Sequence, residues 1–393
     1  MLIWAGALVV GVVLGLLEIG WLDGVMNFVA TVYTRLFQLL AVPTIVLAVA
    51  TTLASLGSGS GRLFRHTVAY TLLTTAAASV VGLLLYVVIA PAALPAEVLA
   101  ADASAASPLA AGLSYADHLL SIIPNNIVKP FLEGNVLSLL LLAAAVGLAL
   151  SRMPESDSKS VVMKGLLGLQ ELLFLLIRAL VWTLPVGIVA FAAQLSAQLT
   201  AGVVADSLGR YVAVVLGGNV LQFFVVLPLF LLLRGLNPVR VLSRMMPAVL
   251  MALFTKSSAA TLPVTMDSAE QRLGVQTKVA RFVLPICTTI NMNGCAAFIL
   301  VTSLFVMQQG GIPLTWTTML TWLFVSIVSA VGNAGVPMGC YFLTLSLMSG
   351  IGAPVSVLGI ILPIYTIIDM VETAVNVWSD SCVAAMVNHD LEE

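Results

Sequence analysis

Charge is what this chain has least of. Only 9% of its 393 residues are Asp, Glu, Lys or Arg, against 60% hydrophobic ones. A soluble domain carries about 25% charged residues. A chain this poor in charge cannot cover a water-facing surface, which excludes a soluble globular protein and implies a polytopic membrane protein. Basic excess is also missing: 16 Lys and Arg stand against 18 Asp and Glu, so nucleic acid finds no electrostatic footing. The four cysteines, Cys287, Cys295, Cys340 and Cys382, show no CxxC or Cys/His spacing for a metal. Free, membrane-buried thiols are the expected state. The amino terminus, MLIWAGALVV, lacks a basic stretch and a cleavage site, and reads as a first membrane helix, not a signal peptide. The three histidines, His66, His118 and His389, lie near segment ends, where solvated or interfacial side chains are expected.

What the chain has in abundance is apolar segments. Met1–Trp21, Val25–Leu56, Thr67–Ala90, Leu166–Leu199 and Tyr211–Leu233 read as crossings, and Leu109–Leu150 as one broken near IIPNN, Ile122–Asn126. Pro238–Thr265, Val279–Gln309 and Ile312–Met348 are each interrupted by Gly, Pro, Ser or Asn. Arg62, Arg65 and His66, then Arg152, Lys159 and Lys164, then Arg234, Arg240 and Arg244, and finally Arg272 and Lys278 mark cytoplasmic segments. Pro91–Asp117 holds Glu97, Asp102 and Asp117 without Lys or Arg, and is expected outside. This alternation puts both termini in the cytoplasm.

The last apolar segment, Ile361–Val387, holds three carboxylates, Asp369, Glu372 and Asp380. Ionisable groups at membrane depth are costly and line pathways or sites in preference to facing lipid. Asp369, Thr373, Asn376 and Asp380 step by four, three and four residues, so they form one helical stripe, with Glu372 beside it. Two breaks precede polar helices in matching order. KSSAATLPVT, from Lys256, comes before NMNG at Asn291, and GNAGVPMGC, from Gly332, comes before DMVETAVN at Asp369. Paired broken segments point to a transporter site near the bilayer midplane, since unwound backbone is tolerated at that depth only where it lines a cavity or is buried in protein.

On these residues the chain resembles the dicarboxylate/amino acid:cation symporter family, the glutamate-transporter homologues. The motifs are SSAATLPVT, TINMNG, AGVP and D-x-x-x-T-x-x-N-x-x-x-D, supported by RLFQLLAVPTIVLAVATTLASL, IIPNN with GNVLSLLLLAAAVGLAL, and LPVGIVAFAA. The resemblance implies an all-α fold of eight transmembrane helices plus two re-entrant helical hairpins, with inverted repeats and a homotrimeric, elevator-type architecture. Scaffold helices 1 and 2 would occupy residues 1–66 and scaffold helices 4 and 5 residues 109–207. Helix 3 with an outer loop, 67–108, and the segment 208–393 would form the transport domain.

The implied roles attach to single residues. Asp369 matches the carboxylate that holds the substrate ammonium group. Thr373 and Asn376 match its further contacts, and Ser257 and Ser258 match the first hairpin tip. Gly335, Val336 and Pro337 match the outer gate, with Lys256, Glu372 and Met292 around the same pocket. Asp380 with Asn291 and Asn376 is expected at one sodium site, Thr289 with Val331 and Asn333 at a second, and Thr74 and Thr75 at a third, with Asn293 and Cys287 as further candidate ligands. Oxygen ligation suits a hard cation. No cofactor is expected, and no enzymatic activity. Lys256 beside Ser257 is a poor Ser–Lys pair, because adjacent residues at a tip seldom present base to hydroxyl. An ion channel is the remote alternative, disfavoured because the sequence shows no repeated filter loop or ring motif.

Departures from the family pattern shape the expected substrate. Acidic-substrate members carry an arginine near the position of Glu372, and the local ETAVN resembles the ETALN of serine/threonine symporters. A small neutral amino acid, imported with sodium across a bacterial inner membrane, is therefore expected. Glutamate, aspartate or a dicarboxylate, driven by sodium or protons, is the alternative. Asn293 and Tyr365 replace aspartates, Thr71 replaces a tyrosine, and Met338 replaces a glycine. Lys256 is expected to pair with Glu372 or Asp369, since an unpaired ammonium at that depth is expensive.

Overall fold

Residues 2–17, 19–55, 61–94, 123–133, 136–199, 203–331, 333 and 338–392 are described by a computed structural model. Its regular elements, in chain order, are α1 (Leu2–Leu16), α2 (Gly20–Ser55), α3 (Arg62–Ile89), α4 (Lys129–Glu133), α5 (Val136–Arg152), α6 (Asp157–Leu199) and α7 (Val203–Leu221). A π turn, Gln222–Val226, leads into α8 (Leu227–Leu233), then α9 (Pro238–Thr255) and α10 (Ser258–Asp267). A second π turn, Ser268–Leu273, precedes α11 (Thr277–Ile290), α12 (Asn293–Gln309), α13 (Trp316–Val331), α14 (Gly339–Gly350) and α15 (Ser356–Glu392). No strand occurs among the described residues. Five helical stretches among them are long and apolar enough to cross a membrane: Arg62–Ile89, Asp206–Leu233, Pro238–Thr255, Thr277–Gln309 and Ser356–Leu391.

The breaks fall where the small and polar residues stand. α9 ends because Lys256 takes a left-handed backbone, φ 54°. Ser257 then turns extended, and its Oγ accepts the Ala260 amide at 3.2 Å to cap α10. Asn291 and Met292 leave helical geometry between α11 and α12. Met338, at φ 62°, opens α14. The first boundary differs from expectation: Trp21 belongs to α2, which begins at Gly20. There the Ile19 carbonyl accepts the amides of Leu22 and Asp23, and the Asp23 carboxylate favours a helix amino terminus.

Close helix packing comes from small residues. α1 lies on α6, where a Cβ at Gly15 would sit 2.1 Å from the Ala193 carbonyl oxygen. α2 packs on α5 and α6. α12 has no exposed face through Met307, because it is apolar all round and is enclosed by α3, α7, α13, α14 and α15.

Long-range polar contacts correct two expectations. His66 is not merely interfacial: its Nδ1 lies 3.0 Å from Asp390 Oδ2, which also accepts from Arg234 Nη2 at 3.2 Å and from Tyr70 Oη. The Arg234 guanidinium stacks 5.3 Å from the Tyr70 ring. This cluster ties the end of α15 to α3 and α8. Cys295 and Cys340 are not free thiols but are joined as a disulfide between α12 and α14, with Cα atoms 5.5 Å apart. Both lie in the first turn of their helices, which meet at that point. Cys287 and Cys382 are free and buried, as expected. The expected outer segment Pro91–Asp117 and His118 lie largely outside the described residues.

Candidate functional site

α15 carries the site because its stripe faces protein and not lipid. Asp369, Thr373, Asn376 and Asp380 are all buried on it, and Glu372 is 1% exposed. Asp369 Oδ2 accepts the Met338 amide at 3.3 Å, and Oδ1 accepts Tyr365 Oη at 3.4 Å. The same Tyr365 hydroxyl is 3.3 Å from Glu372 Oε2, while Glu372 Oε1 has no hydrogen-bond partner. Two carboxylates thus share one phenol. Thr373 Oγ1 donates to the Asp369 carbonyl at 2.7 Å. Asn376 Oδ1 accepts the Gly294 amide at 2.9 Å, and its Nδ2 donates to Cys295 Sγ at 3.4 Å. Gly294 is needed for this approach, since a Cβ there would lie 2.8 Å from Glu372 Cα.

The α9–α10 break at Lys256 and the Met338 amide meet this face. Lys256 Nζ donates to the Thr366 carbonyl at 2.7 Å and lies within electrostatic reach of Asp369. Glu372 Oε2 accepts from Tyr365 Oη, and Lys256 is set beside Asp369 and the α15 backbone. Ser257 and Ser258 are buried beside it at the start of α10. Lys256 Nζ donates to a carbonyl, and Ser257 Oγ caps α10. Met292 is buried in the α11–α12 break. Gly335, Val336 and Pro337 lie outside the described residues.

A second polar cluster sits deeper. Asp380 is 0% exposed. Its Oδ1 accepts from Asn291 Nδ2 at 2.9 Å, and its Oδ2 has no partner. Asn291 Nδ2 also reaches Ser379 Oγ at 2.9 Å, and its Oδ1 accepts from Thr74 Oγ1 at 3.1 Å and from Asn293 Nδ2 at 2.8 Å. Asn293 Nδ2 contacts Thr75 Oγ1 at 3.4 Å, and its Oδ1 accepts from Gln222 Nε2 at 2.6 Å. So Thr74, Thr75, Asn291, Asn293 and Asp380 come together, whereas Thr289 Oγ1 is bonded to the Ile286 carbonyl at 2.8 Å. The Cys287 carbonyl accepts the Asn291 amide at 2.8 Å, and its thiol lies 3.8 Å from Thr71 Oγ1. Val331 ends α13. Asn333, beyond it, donates Nδ2 to Cys295 Sγ at 3.0 Å and to Cys340 Sγ at 3.2 Å.

An isolated buried carboxylate costs several kcal/mol, so an orphaned oxygen ringed by amide and hydroxyl dipoles is a place for a cation. Sequence reasoning missed Gln222 and Ser379. The π turn at Gln222–Val226 swings Gln222 inward, and no local pattern announces such a turn. Ser379 could have been found as the neighbour of Asp380. The Cys295–Cys340–Glu372 grouping, with ligand atoms within 4.8 Å of one another, joins three elements and has no sequence signature.

Residues 2–390 match the family model described as sodium:dicarboxylate symporter family. The chain is 30% identical over 390 residues to the neutral amino acid transporter B(0) of Oryctolagus cuniculus, covering 90% of this chain and 72% of the relative. It is 29% identical over 404 residues to the human neutral amino acid transporter A, covering 93% and 76%. An excitatory amino acid transporter of Caenorhabditis elegans is 30% identical over 259 residues, covering 65% of this chain and 51% of the relative.

Proposed function

This chain belongs to the sodium:dicarboxylate symporter family, and from that premise we propose that it imports a small neutral amino acid of the serine, threonine or alanine type together with sodium. It is a membrane transporter and not an enzyme. The observation that carries the substrate reading is Glu372. It is buried, has an unpartnered oxygen and stands one helical turn from Asp369. A substrate α-ammonium group is attracted to Asp369, while a side-chain carboxylate beside Glu372 is repelled. Two of the relatives named above are neutral amino acid transporters, which supports the same reading. Lys256, within reach of Asp369, favours the acidic-substrate alternative only if its ammonium leaves the Thr366 carbonyl.

In this reading Asp380 Oδ2, Asn291 and Thr74 supply oxygens to sodium, a hard cation; protons are the alternative coupling ion. Lys256–Ser258 and Gly335–Met338 are the tips of two re-entrant hairpins among eight transmembrane helices, closing over Asp369, Thr373 and Asn376. Residues 1–66 and 109–207 form a scaffold in a homotrimer, and residues 67–108 and 208–393 move through it as an elevator. The packing of α1 on α6 and of α2 on α5 and α6, with α3 on α7 and α12, supports that division. A bacterial inner membrane with both termini cytoplasmic is the setting this reading adopts.

The test is uptake into proteoliposomes of labelled serine and, separately, labelled aspartate, with and without an inward sodium gradient. Sodium-dependent serine uptake without aspartate uptake is expected. Sodium-driven aspartate uptake would overturn the substrate reading, and uptake driven by a proton gradient alone would overturn the sodium role of Asp380.

A further inference from the structure

We propose that Cys295, Cys340 and Glu372, in the dithiol state of the protein, form a binding site for a soft or borderline divalent cation such as Zn2+ or Cd2+. The three side chains come from α12, α14 and α15, and their ligand atoms lie within 4.8 Å of one another. All three are buried, and Glu372 Oε1 has no hydrogen-bond partner. Thiolates and carboxylates are ligands such ions accept; zinc binds sulfur at about 2.3 Å in tetrahedral geometry, and three protein ligands leave a fourth position for water.

Three further features fit a metal better than a plain packing contact. Cys295 and Cys340 lie in the first turns of α12 and α14, where helix amino termini favour negative charge. Each sulfur already accepts an amide hydrogen bond: Asn333 Nδ2 reaches Cys295 at 3.0 Å and Cys340 at 3.2 Å. Glu372 Oε2 is oriented by Tyr365 Oη at 3.3 Å. Donors to the ligands, each holding an acceptor atom in place, are the outer shell that metal sites share.

In the described state the two sulfurs form a disulfide, so the site opens on reduction. Two equivalents of a monothiol reductant yield the two cysteine thiols and the reductant's own disulfide. Metal binding then releases both thiol protons to water. Because Glu372 and Asn376 also line the proposed substrate pocket, the bound cation excludes substrate there and clamps α14 to α12. That consequence rests on the proposed function; the binding itself does not.

The test is cadmium titration of the purified chain, once after reduction and removal of the reductant, and once after oxidation. The readout is the thiolate-to-cadmium ultraviolet charge-transfer band. One cadmium per reduced chain and no band in the oxidised chain are expected. Cys295→Ser and Cys340→Ser should each abolish the band, Glu372→Gln should weaken binding by at least the about 10–100-fold that loss of an outer-shell partner costs, and Cys287→Ala/Cys382→Ala should leave it intact. Failure to reduce the bond, a reduced chain without a band, or a band surviving Cys295→Ser overturns the proposal. The wild-type comparison needs no variant to fold. In proteoliposomes, cadmium should block serine uptake by the reduced chain only. Absence of serine uptake without metal would instead count against the transport reading, with the absorbance result standing apart.

Discussion

Replacing Glu372 with Gln removes the ionisable carboxylate from the pocket and little else. Glutamine keeps the shape and still accepts the Tyr365 hydroxyl, now 3.3 Å from Oε2. Glu372 is 1% exposed and lies three residues from Asp369 on α15, which puts the two side chains about 5–6 Å apart. An ionised Glu372 would repel a substrate carboxylate at about 6 Å by about 3 kcal/mol at an effective dielectric of about 20. Serine meets no such repulsion. Glu372→Gln should therefore raise the preference for aspartate relative to serine by about 100-fold. Competition of unlabelled aspartate against labelled serine uptake, in sodium, measures that ratio directly. A ratio within about threefold of the parent, with serine uptake retained, refutes the electrostatic account of selectivity. Loss of both uptakes in a folded variant refutes it too, because Glu372 would then be obligatory and not selective.

Four other outcomes are expected. Asp380→Asn removes the orphaned buried carboxylate and should raise the sodium concentration for half-maximal uptake at least about tenfold, read from sodium titrations; an unchanged requirement would detach Asp380 from the ion. Gly294→Ala drives a Cβ to 2.8 Å from the α15 backbone at Glu372 and should cost about 1–3 kcal/mol of stability, seen as a lower melting temperature of the detergent-solubilised protein. Asp390→Asn weakens the contacts to His66, Tyr70 and Arg234 and should lower that temperature by a few degrees while leaving the sodium requirement alone. Because Lys256 Nζ is held by the Thr366 carbonyl, Lys256→Ala and Glu372→Ala should reduce uptake additively, to within about 0.5 kcal/mol; strong coupling would mean the two charges pair during transport.

The helices, their breaks and the polar stripe on α15 were legible in the chain itself. Apolar run length, the four-three-four spacing of Asp369, Thr373, Asn376 and Asp380, and the Ser, Gly and Asn residues at the tips are local properties. Secondary structure in lipid is decided largely by such properties, because backbone groups must be satisfied within the segment. Partners distant in sequence were not legible. Cys295 and Cys340 are 45 residues apart, and His66 reaches Asp390 across 324. A shared burial pattern cannot say which of several apolar helices will lie alongside which. Lys256 shows the limit most clearly. Sequence reasoning demanded a carboxylate partner for a buried ammonium, and the fold sets Lys256 within electrostatic reach of Asp369 while adding the carbonyl of Thr366, which no local pattern announces. That placement depends on where α9 ends and on the left-handed turn at φ 54° that aims the side chain. Composition determined that the charges needed partners, and only the packing of α3, α9 and the α11–α12 break against α15 decided which partners they found.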